Sequence, residues 1–548
     1  MKKLLFPAVL CLSLFSCTND KAKTETTGSD ISADAKSELH KKVTARDYSI
    51  TAANAYNDIF LDSAALEKFI AETQLGDSIT RRMRSFYNAR NYQYAWFSSN
   101  GVTEQARGFW NLQSYYNGSH KDTGANYKTL SGLMDRLTTD EDLKVSTGDQ
   151  GILKAEFLLT QNFIKYVLEN YEDGIVKRKE LERFIPLKKT DALQVADSLL
   201  NKKHKDNKYY EDDNPAYGSL KTQLQKYVAI AKAGGWQAIP DSKTGYKIGI
   251  SAPAVLTIKK RLSATGELSG DTTAVFDAQL EAAVKTFQSS LGLTADGVVS
   301  PALIKDLNVP VQQRIQQILI NMDRMRWMPE PKEGNLIIVN IPEFDLKVFE
   351  GNQKAFNMGV VVGKEGHNTM MFKGDLSTVV FSPYWDVPPN IVRAEILPAM
   401  QRNPNYLASK HMEQTGTSGG LPVIRQLPGE DNSLGKVKFL FPNSFNIYFH
   451  DTPAKSLFSK DKRAYSHGCI RLSDPVHLAQ YVLRNQPEWT PEKIADAMNS
   501  GHQQFVALKK KIPVIITYYT AWVGDNGVLN FRDDIYGHDA ELAKKMFF

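Results

Sequence analysis

The sequence predicts a multidomain α+β protein: a helical N-terminal scaffold, a three-helix domain, and a mainly β, sandwich-like C-terminal domain with a helical lid insert. Three observations predict this. The chain has 548 residues, enough for three or four domains. Apolar residues recur at helical spacing through most of the first 326 positions. From Leu336 onward, β-rich runs separated by turn residues replace that period. The composition, 42% apolar and 23% charged, excludes a disordered or collagen-like chain. A net charge of +6 over this length is too dilute to point to nucleic acid as a partner. Three cysteines, Cys11, Cys17 and Cys469, are too few for a disulfide framework.

Lys2 and Lys3 precede an apolar run over residues 4–15, which is too short to cross a bilayer and reads as an export signal. Leu14-Phe15-Ser16-Cys17 resembles a lipoprotein box, which implies a signal peptide over 1–16 and a lipidated Cys17. Residues 17–44, rich in Thr, Ser, Ala, Asp and Lys, cannot bury enough surface to offset their ordering entropy and read as a tether. The expected location is the periplasm, with a lipid anchor in the outer membrane. No later stretch has 18 consecutive apolar residues, so no membrane span is expected.

Residues 45–249 read as the helical scaffold. Ile152, Leu153, Phe157, Phe163, Ile164, Val167 and Leu168 form one apolar face, and Ala65, Leu66, Phe69 and Ile70 another. Phe86, Tyr87, Tyr92, Tyr94, Trp96 and Phe97 fit a core better than a ligand platform. In residues 250–309, Val255, Ile258 and Leu262 mark one helix, and Phe276, Leu280, Val284, Phe287 and Leu291 mark a second. Asp296-Gly297 makes a turn, and Ser300-Pro301 starts a third helix with Ser as N-cap and Pro in its first position. Residues 310–334 are expected to be a connecting helix. The domain over 335–523 is expected to carry strands at 336–341, 346–349, 358–362, 378–381, 446–449 and 513–523, interrupted by a lid insert at about 388–440. Residues 524–548 form a C-terminal tail with no role read from sequence.

The chemistry converges on His450-Asp451-Thr452 and Ser466-His467-Gly468-Cys469-Ile470-Arg471-Leu472. A free thiol with a pKa near ~8.5 is only partly thiolate at neutral pH, and a neighbouring imidazole can take its proton to leave a thiolate–imidazolium pair. His467 lies two residues before Cys469 and His450 nineteen before it, and either can serve as base. Gly468 permits a tight turn whose N–H groups can face a developing oxyanion. A zinc site from His450, His467 and Cys469 is a weaker alternative, because no C-x₂₋₄-C or H-E-x-x-H pattern is present. A merely buried cysteine is another. No metal or cofactor is expected.

His450 followed by Ser466-His467-Gly468-Cys469-Ile470-Arg471-Leu472 resembles the YkuD-type L,D-transpeptidase motif, H-x(14–19)-[ST]-H-G-C-h-[RN]. The stretches 382–389 and 450–458 resemble its large-insert branch. Ala282 to Gln288 with Asp296-Gly297 resembles the peptidoglycan-binding domain. The resemblance implies Cys469 as nucleophile, His450 as general base, and the backbone of His467, Gly468 and Cys469 as oxyanion hole. It further implies that the Asp451 carbonyl orients the imidazole and that Arg471 supports the loop or the substrate. Tyr448, Trp385 and Ser466 are candidate substrate contacts. The implied activity is a thioacyl-enzyme formed from a tetrapeptide stem of peptidoglycan and resolved as a 3→3 crosslink, with acylation by carbapenems. L,D-carboxypeptidase or D-amino-acid exchange could use the same residues. A non-catalytic peptidoglycan-binding lipoprotein is the alternative of a different class.

Overall fold

Side-chain caps mark several helix starts in this chain. The computed structural model describes residues 42–119, 125–139, 143–170, 185–201, 215–270, 273–327 and 334–548. The expected signal peptide, Cys11, Cys17 and nearly all of the tether lie outside them. Among the described residues, no helix is long and apolar enough to cross a membrane. Asp62 accepts from Ala64 N–H to start α1 (Ser63–Thr73). Four more helices, α2 (Asp77–Ala89), α3 (Glu104–Ser119), α4 (Ala125–Thr139) and α5 (Gln150–Asn170), share its core. The aromatic residues singled out in the sequence fill that core, with Tyr87, Tyr94, Trp96 and Phe97 wholly inaccessible. Trp96, Phe109 and Phe163 meet with ring centroids 5.3–5.5 Å apart. Glu156 on α5 sits among them and accepts from Ala95 N–H (2.7 Å), Trp96 N–H (3.0 Å) and Tyr87 Oη–H (3.1 Å).

A second apolar core joins α6 (Ala192–Leu200) and α7 (Pro215–Lys232) to segments far along the chain. The three-helix domain follows with α8 (Pro253–Thr265), α9 (Ala278–Ser290) and α10 (Pro301–Leu307). Its Phe-Gln…Asp-Gly pattern has a plain physical basis. The Gln288 amide donates to Asp296 Oδ1 (2.6 Å) and its oxygen accepts from Gly297 N–H (2.8 Å), so one helix side chain clamps the turn. Gly297 has φ +75° and no room for a Cβ beside Glu281. Ser300 caps α10 through Leu303 N–H, with Pro301 in the first turn.

The helix expected merely to connect, α11 (Val311–Arg326), is a core element. Its Ile315, Ile318, Leu319 and Met322 are buried in the second core with Trp522, Phe531 and Leu542 from the chain's last thirty residues. A connector would show one wet face, whereas α11 also buries Arg314, Asn321, Asp323 and Arg324.

The β domain begins with β1 (Asn335–Asn340), β2 (Asp345–Glu350), β3 (Gln353–Gly363) and β4 (Lys373–Phe381). The insert then carries β5 (Trp385–Asp386), a helical run over 389–402, and a hairpin of β6 (Met412–Ser418) and β7 (Leu421–Gln426). The lid is therefore only half helical. Gly419 and Gly420, with φ +57° and +77°, make the two-residue turn that lets these strands pair as a hairpin. Its own small core is Val387, Ile391, Val392, Ile396 and Ile424. The insert closes before β8 (Val437–Leu440), which pairs with β4 of the main sheet.

Next come β9 (Phe449–His450), β10 (Ala464–Ser466), β11 (Ile470–Leu472), α12 (Pro475–Leu483), α13 (Pro491–Asn499) and the long β12 (Gln504–Thr517). The strand expected at 446–449 starts only at Phe449. Asn446 is left-handed (φ +55°), and Asn443 Oδ1 holds the preceding turn through Phe445 and Ile447 N–H. The strand expected at 513–523 is likewise two, β12 and β13 (Ala521–Val523), the latter paired with β14 (Leu529–Phe531); α14 (His538–Met546) ends the chain.

The main sheet runs β10-β3-β11-β9-β8-β4-β12-β1-β2, and β2 also pairs with β3. Eight strands thus close into a ring around Ile337, Val339, Leu346, Val348, Val360, Phe439, Phe449, Ile470 and Val514, with α12 and α13 packed on that core. Closure removes the free edges that an open sandwich-like sheet would expose.

Burial pushes the Glu156 carboxyl up to about 7 from its ordinary 4.5. Between those two pH values the folded chain holds a proton that the unfolded chain lacks, so stability falls as pH rises across this window. Calorimetry of the transition containing the scaffold should show a higher midpoint at pH 5 than at pH 8, corresponding to a stability difference on the order of 3 kcal/mol. Glu156→Gln should flatten that contribution; an unchanged pH profile in the variant would refute it.

Candidate active site

The site follows from strand alternation. β9 and β11 are parallel neighbours, with Phe449 opposite Ile470 and His450 opposite Arg471. Phe449, Ile470 and Leu472 point into the barrel core, all wholly inaccessible. With a side-chain period of two, Tyr448, His450, Cys469 and Arg471 must take the other face. Ile470 N–H donates to the Tyr448 carbonyl (3.2 Å), which extends the register and sets Cys469 beside Tyr448, one strand across from His450. Strands lie about 4.8 Å apart, so the thiol and imidazole belong to one patch. On the other flank β8 places Lys438 opposite His450 while Val437 and Phe439 turn inward. Sequence reading missed Lys438, although Val-Lys-Phe alternation carries the signal.

His450 is buried, and its Nδ1 lies 2.5 Å from the Asp451 carbonyl oxygen. A carbonyl only accepts, so Nδ1 carries the proton and Nε2 is the basic nitrogen. Asp451 is itself held, with its N–H on the Val437 carbonyl (2.9 Å) and its carboxylate on Lys436 N–H (2.9 Å) and Lys455 Nζ (2.6 Å). Gly435 is obligatory there: its φ is +60° and a Cβ would run into the Asp451 carboxylate.

The nucleophile turn is clamped by Ser466. Its Oγ–H donates to the Cys469 carbonyl (2.5 Å) and its oxygen accepts from Gly468 N–H (3.1 Å). Gly468 has φ +108°, so conformation rather than crowding demands glycine. These bonds divide the three expected oxyanion amides. Gly468 N–H is occupied by Ser466, whereas the N–H groups of His467 and Cys469 have no hydrogen-bond partner among the described residues. Ser466 is thus placed as a backbone clamp rather than as a group open to substrate.

Charge at the site is scarce at rest. Burial pushes the Cys469 thiol up, against hydrogen bonds from Tyr448 and the positive charges of Arg471 and Lys438. Burial also pulls His450 down to about 3, helped by the Arg471 charge. Both directions favour a neutral thiol and a neutral imidazole at rest over a thiolate–imidazolium pair. Arg471 has a buried Nε with no partner among the described residues, so its charge remains available to the face it shares with Cys469. Burial raises the Tyr448 phenol, and its ring lies 5.8 Å from His450. The thiol makes a long contact with the Asn446 carbonyl (3.7 Å).

His467 faces the lid: its Nε2 is 2.8 Å from Glu395 Oε1 in the insert. Glu395 lies 72 positions away in sequence and was not legible as a site residue. Trp385 packs on the lid core and pairs with Gln426 of β7. Among the described residues, no group of three His, Cys, Asp or Glu side chains is placed to hold a metal ion.

Three segments of the chain match known domain families. Residues 334–516 match the L,D-transpeptidase catalytic domain (YkuD), residues 81–224 a scaffold domain, and residues 251–307 the "Putative peptidoglycan binding domain". The chain therefore carries an L,D-transpeptidase catalytic domain. A Haemophilus influenzae protein named "Putative L,D-transpeptidase" is 30% identical over 243 residues, covering 41% of this chain and 49% of that protein. The chain thus matches about half the length of that relative. Among solved structures, an L,D-transpeptidase from Stackebrandtia nassauensis is 15% identical with TM-score 0.21, covering 50% of this chain and 96% of that one. An L,D-transpeptidase from Xylanimonas cellulosilytica is 14% identical with TM-score 0.16, covering 50% and 99%.

A neutral resting thiol has a measurable signature. Alkylation of Cys469 by iodoacetamide, followed by peptide mass spectrometry, should be slower at pH 7 than for a free cysteine and should climb with pH beyond about 8.5. A rate plateau extending below pH 7 would instead reveal a preformed ion pair.

Proposed function

We propose that this protein is a cysteine-dependent L,D-transpeptidase acting on peptidoglycan stem peptides. The observation that carries the reading is the lone thiol on one strand face with an imidazole whose Nε2 is basic, beside two unoccupied amides. The reaction follows from these parts. Cys469 Sγ attacks the carbonyl carbon at the third residue of a tetrapeptide stem while its proton passes to His450 Nε2. The carbonyl becomes an oxyanion, which the His467 and Cys469 N–H groups can receive. The C–N bond then breaks, and His450 returns the proton to the departing D-amino acid, leaving a thioester on Cys469. The side-chain amine of a second stem attacks that thioester and gives its proton to His450. The C–S bond breaks, the thiol is re-formed, and a 3→3 crosslink results. Water in place of the amine gives L,D-carboxypeptidase activity, and a D-amino acid gives exchange.

Neutral partners suit this route. Proton transfer accompanies sulfur attack, so charge develops only when substrate is there to receive it. The three-helix domain is tied to the same loop system: Thr294 donates through N–H (3.1 Å) and Oγ1 (2.9 Å) to Asp461, between His450 and Cys469. That bond supports a reading in which wall binding and chemistry are held in fixed relation.

Incubation with tetrapeptide-rich wall should yield 3→3 crosslinked muropeptides, and a carbapenem should add its mass at Cys469. Cys469→Ala should abolish both, and His450→Gln should slow acylation by about 100-fold or more. An adduct persisting in Cys469→Ala would refute the nucleophile. Wall retention without any new crosslink would favour a binding lipoprotein. Export and anchoring through Cys17 belong to the same proposal: palmitate labelling should disappear in Cys17→Ala, and labelling that persists there would remove the anchor.

A further inference from the structure

Residues 524–548 enter none of the chemistry above, yet they reach the nucleophile turn. Tyr536 Oη donates to the Gly363 carbonyl (2.7 Å) and accepts from Thr369 N–H (3.2 Å). Thr369 is buried, and its Oγ1 accepts from Gly363 N–H (2.9 Å) and donates to the Gly468 carbonyl (2.8 Å). Every polar atom in this chain of bonds is used. Gly363 must be glycine, because a Cβ would collide with the His367 carbonyl across the tight turn.

Tyr536 is fixed from behind. Its N–H donates to Tyr518 Oη (2.9 Å), which in turn donates to Asp534 Oδ1 (2.8 Å), and the two rings stack at 5.6 Å. The tail beyond is pinned by Asp539, which accepts from Thr520 Oγ1 (2.5 Å) and Arg324 Nη1 (2.5 Å).

The consequence comes from peptide planarity. The Gly468 C=O and the Cys469 N–H belong to one rigid peptide unit and point in opposite directions. Fixing the carbonyl on Thr369 therefore aims the Cys469 N–H away from Thr369, on the side left without a partner among the described residues. Glycine at 468 makes this unit easy to rotate, so an external clamp is needed to hold it. We propose that Tyr536 and Thr369 are positioning residues that aim the Cys469 N–H at the developing oxyanion, which makes the C-terminal tail part of the catalytic apparatus. This rests on the transpeptidase reading.

The test compares two reactions of the same sulfur in the full chain. Acylation by a carbapenem passes through an oxyanion; alkylation by iodoacetamide does not. In Tyr536→Phe and in Thr369→Val, the first-order acylation rate at saturating carbapenem should fall about tenfold or more, since losing one oxyanion donor costs ~10²-fold or more. The alkylation rate of Cys469 and the half-saturating carbapenem concentration should stay near wild type. Thr369→Ser, which keeps the hydroxyl, should acylate near the wild-type rate, and unchanged alkylation guards against misfolding in the other two. Equal loss of both reactions would mark a merely structural role and overturn the proposal, as would unimpaired acylation in Tyr536→Phe and Thr369→Val. A wild-type chain that alkylates but never acylates would overturn the transpeptidase reading itself, and the aiming role with it.

Discussion

The parallel pairing of β9 with β11 is the constraint on which the site depends. Four chemically active side chains share one face because the residues between them, Phe449, Ile470 and Leu472, are claimed by the barrel core. A slip of one residue in either strand would bury a polar side chain and expose an apolar one. Hydrophobic burial therefore fixes the catalytic register, with no need for the thiol and imidazole to attract each other. Ring closure strengthens the constraint, since β9 is paired on both sides, to β8 and to β11, and cannot shift alone.

The same burial sets the electrostatics. Burial disfavours both thiolate and imidazolium, and the positive charges of Arg471 and Lys438 add to the cost on the histidine while easing that on the sulfur. The net result is a pair that stays neutral until the sulfur attacks. In the proposed reaction the donors that meet the oxyanion are backbone amides, already oriented, so little reorganisation would accompany it. Ser466, which the motif suggests as a substrate contact, acts on the backbone instead by closing the turn from Gly468 N–H to the Cys469 carbonyl.

Legibility in the sequence follows the range of the interactions. Cys469, Gly468 and His450 were readable because a lone thiol, a glycine and a histidine announce chemistry locally. The three-helix domain was readable because Gln288, Asp296 and Gly297 clamp one another within ten residues. The choice between His450 and His467 needed either a family resemblance or the strand pairing. Glu395, Thr369 and Tyr536 were silent, since each acts through a contact 72 to 167 residues away. The lid hairpin was missed because Met412–Ser418 is too polar to show alternation and Pro422 interrupts Leu421–Gln426, although Gly419-Gly420 marks the turn. α11 looked like a connector because nothing in its own sequence reveals that Trp522, Phe531 and Leu542 return to cover it.

That return has a consequence for how the chain assembles. Arg324 on α11 is almost wholly buried and pairs with both Glu104 of α3 (2.5 Å) and Asp539 of α14 (2.5 Å). A buried cation of this kind is weak evidence for stability but strict about its partners, because losing one leaves uncompensated charge at a cost of about 3–5 kcal/mol. The three segments lie more than 200 residues apart in sequence, so the cluster is complete only when scaffold, central helix and tail are all in place. Asp539 follows Tyr536 by three positions, so the same event that neutralises Arg324 seats the phenol on Gly363 and Thr369. Among the described residues, no hydrogen bond or ring contact joins the helical scaffold to Cys469 or His450. The scaffold's contribution is to complete the buried charge cluster that docks the tail, and through the tail to hold the turn on which Cys469 sits.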